Sequence, residues 1–298
     1  MKVIKDAIRV AGYNFRTWRK NPRIWMTFAL ALILCFLLSD KAMRFSVEYD
    51  TVMQCMEPFV WTFGDANSIL LSSLLLVLLF SDLPFLTAMT PYYLVRTRRS
   101  AWILGQIVYI CAATGIYLLV VLLSTCILCS SRCYLGNLWS ETAAILGYSG
   151  AGKDVALPTL VKTLEMSTPY RCTAAIFFLM LLYSLLLTGL MLLLTLKGGT
   201  AAGLGGVFGL SLYGFLLNPQ TIKELLNLEE REMYKANVAV GWLSPLNHAS
   251  YAMHNFGYDL LPRLWHTYAI LGTLILLLFG LSLRAVRRYN FHFRGSEG

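Results

Sequence analysis

The sequence predicts an all-α integral membrane protein with six transmembrane helices, an N-terminal amphipathic interfacial helix and short re-entrant helices between spans five and six. Composition, long apolar runs and charge distribution predict it. Of 298 residues, 57% are hydrophobic and 14% are charged, against about 25% charged in a soluble domain. Mean hydropathy is +0.61. That balance excludes a disordered tail, a secreted disulfide scaffold and a cytosolic enzyme, and the length fits a single membrane domain over residues 1–298 with no room for a soluble ATPase.

A crossing helix needs about 20 mostly apolar residues for roughly 30 Å of hydrocarbon. Six stretches free of Asp, Glu, Lys and Arg meet or approach this. Ile24 to Ser39 is the shortest, and Ala66 to Ser81 can lengthen backward past Asp65 into residues 59–64. Ser100 to Ser131 exceeds one crossing; Cys172 to Leu196 and Gly198 to Asn218 are parted by Lys197; Leu264 to Leu283 is the last. Their Leu-rich, non-alternating composition reads as helices, whose backbone groups are satisfied internally in lipid, and not as barrel strands.

With both termini inside, residues 1–23, 82–99, Lys197 and 284–298 hold 15 of the 25 Lys and Arg and only three acids. The outer segments hold the other 10 basic residues and 13 acids, so cytoplasmic termini obey the positive-inside rule. The net charge of +9 therefore reports orientation and anionic lipid headgroups, and no nucleic-acid partner. The expected location is a plasma membrane of bacterial type. The basic, amphipathic start is not a cleavable signal peptide.

Residues 1–22 carry an interfacial helix. At 100° per residue Val3, Ile4, Ala7, Ile8, Val10, Ala11, Phe15 and Trp18 share one arc, opposite Lys2, Lys5, Arg9, Arg16, Arg19 and Lys20, and only Asn14 intrudes on the apolar side. Asn21-Pro22 ends it. Such a helix anchors to the membrane surface or also touches a cytosolic partner. Between spans two and three, residues 82–99 place Phe85, Leu86, Met89, Tyr92 and Tyr93 between Pro84 and Arg98-Arg99. These large side chains either line the inner surface or plug into another protein.

Residues 132–171 and 219–263 form extracytoplasmic loops. In the second, Pro219 follows an Asn218 cap and opens a helix through Met233, and Val238 to Trp265 is apolar but broken by Gly and Pro, as expected of short re-entrant helices. Span five carries Gly199/Gly203 and Gly205/Gly209, two four-residue spacings that serve either tight packing in the bundle or a dimer face.

Chemical motifs are few. Gly147 to Asp154 imitates a phosphate-binding loop, but Asp154 stands where Ser or Thr would hold magnesium. His254 and Asp259 have the spacing of some acyltransferase dyads. No H-E-x-x-H or G-x-S-x-G occurs. A Cys133–Cys172 disulfide would staple the outer loop, although cysteines in spans commonly serve as small apolar filler. No apolar run holds a mid-membrane charge, unlike most ion-driven carriers.

Amphipathic basic helix, two spans, and then Asp82, Pro84-Phe85, Arg98-Arg99, Trp102 and Gly105-Gln106 form an order that resembles the permease subunits of ATP-binding-cassette (ABC) exporters of the type-two family. Ser244-Pro245, near the re-entrant helices, is similar to a Ser-Pro common in them. The resemblance implies a coupling helix within 82–99 that docks in a separate ABC ATPase subunit through Asp82, Pro84, Phe85, Leu86, Met89, Tyr92, Tyr93, Arg98 and Arg99. It also implies a second permease subunit, identical or not, with ATP and Mg on the ATPase and no cofactor in this chain. Uncharged spans favour a hydrophobic or amphipathic cargo. An assembly subunit or non-ABC carrier, and an intramembrane enzyme using His254 and Asp259, are the alternative readings.

Overall fold

The computed structural model describes residues 2–85, 97–154, 157, 161–227, 229–257 and 259–289. Helix α1, Lys2–Arg16, runs into a 3-10 turn, Thr17–Lys20. Pro22 then starts α2, Pro22–Glu48, because proline suits the first helical turn and the Asn21 side chain accepts the Arg23 N–H at 3.1 Å. The helix outruns the apolar stretch to Ser39: an Asp40–Arg44 pair, 2.7 Å apart and one turn in spacing, carries it to Glu48.

The second apolar run departs from expectation. Helices α3, Glu57–Phe63, and α4, Ala66–Leu79, meet at 88°. Asp65, read from sequence as a mere interruption, caps α4 by accepting the Asn67 N–H at 3.1 Å. A capped start cannot extend backward as one straight helix. The 14 residues of α4 span only about 21 Å, while every residue of α3 is buried. The Gly64 carbonyl freed at the bend accepts the Ser250 hydroxyl at 3.1 Å.

Helix α5, Arg99–Leu128, is long and half buried. Past it lie a two-residue strand, β2 Cys133–Tyr134, paired in parallel with β1 Met53–Gln54, and the small helices α6 Glu141–Tyr148, α7 Ala151–Asp154 and α8 Val161–Met166. Glu57 ties this layer together. Its carboxylate accepts the Gln54 N–H at 3.0 Å, the Ser140 N–H at 2.7 Å and the Ser140 hydroxyl at 2.5 Å, and Ser140 in turn caps α6.

Helix α9, Pro169–Leu216, is nominally 48 residues long but reverses at Gly199, whose φ of 83° and ψ of 178° are open to glycine and strained for other residues. In a straight helix Met191 and Gly203 would sit about 18 Å apart. Here a Cβ on Gly203 would lie 3.1 Å from the Met191 carbonyl oxygen and against Thr195, so the limb after Gly199 packs back on the limb before it. The first limb is the bundle's centre, with Tyr183, Leu187, Met191 and Leu192 fully buried.

Asn218 caps α10, Pro219–Leu225, by accepting the Thr221 N–H at 2.8 Å. The expected continuation to Met233 fails at Asn227, whose φ is 48°. Then come α11 Met233–Leu243 and α12 Pro245–Ala249, broken at Ser244, which caps α12 and donates its hydroxyl to the Gly214 carbonyl at 3.2 Å. Helix α13, Leu264–Ala285, closes the bundle against α9, with Gly189 letting Phe279 approach.

The result is an all-α, multi-span bundle. Among the described residues, four helical stretches are long and apolar enough to cross a membrane, or five with the bent α3–α4 pair counted as one. Trp25, Phe36 and Leu37 of α2 and Leu276 of α13 are all more than half exposed. Such outward apolar surface is stable in lipid and a liability in water.

Candidate functional site

Of the residues singled out in the sequence, Asp82, Phe85, Arg99, Gly105 and Gln106 gather at one end of the bundle, around the start of α5, and Ser244-Pro245 lies apart from them. Gly105 lets α1 lie directly on α5: a Cβ there would fall 2.6 Å from Val10 Cβ and 2.8 Å from the Ala7 carbonyl oxygen. One turn along this seam, the Gln106 side-chain oxygen accepts the Asn14 amide at 3.1 Å, and its nitrogen donates to the Phe85 carbonyl at 3.5 Å. Gln106 is fully buried and Asn14 nearly so. The apparent intruder on the apolar face of α1 is thus the polar lock of the seam.

An aromatic cluster surrounds the lock. Tyr109 accepts the Trp18 indole N–H at 2.7 Å, and the rings of Phe15 and Phe85 lie 4.9 and 5.1 Å from it. Trp102 is buried beside them in the same core. Phe85 is half-buried against Tyr109. Next to it, Arg23 donates to the Ser81 hydroxyl at 2.6 Å and pairs with Asp82 at 2.5 Å, fixing the start of the 82–99 segment to α2.

Arg99 closes the far side of this segment by donating to the carbonyls of Arg287 at 3.0 Å and Tyr289 at 3.4 Å. A cation at the carboxyl end of a helix also meets its negative dipole. The N-terminal helix, both ends of the 82–99 segment and the end of α13 therefore share one pole of the molecule. Lys5, Arg9, Arg16, Arg19 and Arg98 are exposed there, and Arg9 lies 3.7 Å from Asp6. Leu86, Met89, Tyr92 and Tyr93 lie outside the described residues, and Pro84 and Phe85 are the last before them.

The burial of α1 differs in part from the helical-wheel arc. Ala7, Val10 and Ala11 are buried, but Ile4 and Ile8 are 63% and 58% exposed. Helix α1 thus has two apolar faces: one of small residues on α5, and one of isoleucines free for lipid. The glycines of the second α9 limb divide likewise: Gly199 makes the reversal and Gly203 packs on Thr195, whereas a Cβ on Gly205 or Gly209 would meet no neighbouring element within 4 Å among the described residues.

The other candidates do not assemble. His254 is fully buried, its Nε2 2.9 Å from the Thr267 hydroxyl and its Nδ1 3.2 Å from the Tyr251 carbonyl. Asp259 pairs instead with Lys162, and the two form no dyad. His248 bonds the same Thr267 hydroxyl at 2.8 Å. Burial drives the His254 pKa down to about 4 and lowers that of His248, so both rings are neutral polar struts at neutral pH. Cys133 donates to the Cys129 carbonyl and is not bridged to Cys172. Among the described residues, no three His, Cys, Asp or Glu side chains are placed to hold a metal.

Sequence reading missed Arg23, Tyr109, Glu57 and the His–Thr–His link. A lone Asn on an apolar arc was the available signal for the Gln106 lock, since a polar group survives there when another side chain satisfies it. Comparison with protein-family models, with curated proteins and with solved structures gave no match.

Proposed function

We propose that this chain is the membrane-spanning subunit of an ABC exporter, paired with a second permease subunit and driven by separate ATPase subunits that bind ATP and Mg. The observation that carries the reading is the Gln106 lock, in which one buried side chain holds both Asn14 of the basic amphipathic helix and Phe85 at the mouth of the 82–99 segment. A segment anchored at both ends to span-forming helices, by Asp82–Arg23 and by Arg99, transmits a push from below into α2, α5 and α13. ATP-driven movement of a docked ATPase would then bias an inward-open against an outward-open arrangement.

In this reading the α9 reversal separates spans four and five, so α2, the bent α3–α4 pair, α5, the two limbs of α9 and α13 make six crossings, with short α11 and α12 re-entering from the outer face. The exposed cations at the shared pole fit a cytoplasmic face. A membrane enzyme is disfavoured by the separate engagement of His254 and Asp259. Affinity purification of the full chain from its native membrane in mild detergent tests the proposal. An ATPase subunit is expected to co-purify, and to be lost with Phe85→Asp or Met89→Asp while the chain still elutes as a folded particle. Activity with no ATPase bound, or retention in both variants, would refute the docking assignment.

A further inference from the structure

An apolar recess of about 600 Å³ opens on the flank of the bundle between α2, α4 and the second limb of α9. Leu30, Ile33 and Leu37 of α2, Leu74 and Leu78 of α4 and Phe208 of the second α9 limb line it; among the described residues its one polar lining side chain is Ser81, just past the end of α4. From Leu71 to Ser81 the recess follows α4 for about 15 Å, half of a hydrocarbon core of roughly 30 Å. Its depth is therefore that of one leaflet.

The recess runs along α4 and its described lining is apolar apart from Ser81, which is the chemistry of an acyl chain lying parallel to that helix, and its volume lies within the usual range for small ligands, roughly 300–1,000 Å³.

The inner end supplies the complementary charge. Arg23 spends one guanidinium nitrogen on Ser81 and Asp82 and keeps 36% of its side chain exposed. Its planar fork has further donors suited to a phosphate. Exposed Arg19 and Lys20 immediately precede α2, so the local balance stays positive despite Asp82.

We propose that this recess is a binding site for one inner-leaflet phospholipid, preferably anionic, with an acyl chain among Leu30, Leu37, Leu74 and Leu78 and the phosphate at Arg23. The site needs the chain to span a membrane but needs no ATPase, so it stands apart from the docking assignment. A lipid held there would wedge α2 against α4 beside the Arg23–Asp82 pair that anchors the 82–99 segment.

The test is photolabelling of the full chain in phosphatidylcholine vesicles containing a trace of phosphatidylglycerol or phosphatidylcholine with a diazirine in one acyl chain. Adducts should concentrate on peptides covering 30–37 and 71–78 and favour the phosphatidylglycerol probe. Leu74→Trp, which fills the recess, should cut labelling there at least about fivefold, the equivalent of roughly 1 kcal/mol, while Leu276→Trp on α13 leaves it unchanged. Arg23→Gln should abolish the preference for phosphatidylglycerol and spare phosphatidylcholine labelling. Labelling spread evenly over α2 and α13, or indifferent to both Leu74→Trp and the milder Leu78→Phe, would reduce the recess to ordinary lipid-facing surface. Efficient disulfide cross-linking between two copies through Ile33→Cys would give it to a second subunit and overturn the proposal.

Discussion

The two poles of the molecule are held by opposite means. At the pole that carries α1 and both ends of the 82–99 segment, the inner one in the proposed topology, side chains from distant parts of the sequence bond across helices, Asn14 to Gln106 and Arg23 to Asp82, while basic groups stay exposed around them. At the outer pole the polar contacts close inward on buried groups: Glu57 gathers Gln54 and Ser140, and Thr267 joins two neutral histidines. The inner pole anchors both ends of the 82–99 segment inside a rim of exposed cations. The outer pole covers the bundle by burying Glu57 and Thr267 with their partners, while charged loop residues such as Asp50 and Glu230 stay in the open.

Four perturbations separate these designs. The largest effect belongs to Gly105→Leu, which has no room against the Ala7 backbone and must expel α1. A loss of about 3 kcal/mol or more is expected for overpacking of this kind, read as a lower unfolding temperature and new proteolysis at Arg9 or Arg16. An unchanged thermal profile would mean that α1 is only loosely docked.

Acidification acts on the other pole. Burial holds His254 at about 4, below the 6.5 of an exposed imidazole. Between those values the unfolded chain takes up a proton that the folded chain refuses, so stability is lost as pH falls from 6.5 towards 4 and is independent of this ring above 6.5. At about 1.4 kcal/mol per pH unit, about 2.5 kcal/mol is lost by pH 4.5 and roughly 3.5 kcal/mol once both states are protonated. Thermal unfolding at pH 7, 5.5 and 4.5 measures it, and His254→Gln should flatten the dependence; an equal slope in that variant would assign the loss to other groups.

Gln106→Leu should cost about 2 kcal/mol, because it strands the buried Asn14 amide. Asn14→Leu combined with Gln106→Leu should recover much of the loss, since an apolar pair leaves nothing unsatisfied at that contact. Additive losses in this cycle would show that the two side chains are uncoupled. The smallest effect is at the outer cap, where Asn218→Ala should cost about 1 kcal/mol and fray α10 alone, visible as faster amide exchange at Thr221.

Several elements were legible in the sequence for reasons the structure repeats. Asn218-Pro219 places a side-chain acceptor before a proline-led first turn and opens α10 as read, whereas Asn21-Pro22, read as the end of the interfacial helix, also caps and opens α2. The α3–α4 bend was not legible, because apolar content fixes burial and says little about direction: Asp65 is equally an interruption and a cap until the bend is seen. The Gly199 reversal was legible as a break between runs, but not the role of Gly203, whose missing Cβ matters only once the two limbs meet. At the inner pole the residue types of the site were readable, whereas its pairings were not. Asn14 and Gln106 are 92 positions apart, and no local pattern links them.

The central claim is that the inner pole presents residues 82–99 to a nucleotide-hydrolysing partner. A photoactivatable amino acid at Met89, in the full chain expressed in its native membrane, tests this most directly. The account predicts one dominant protein adduct, an ABC ATPase subunit, that weakens when Gln106→Leu loosens the platform. Adducts with lipid alone, in membranes where the chain is demonstrably functional, would contradict it.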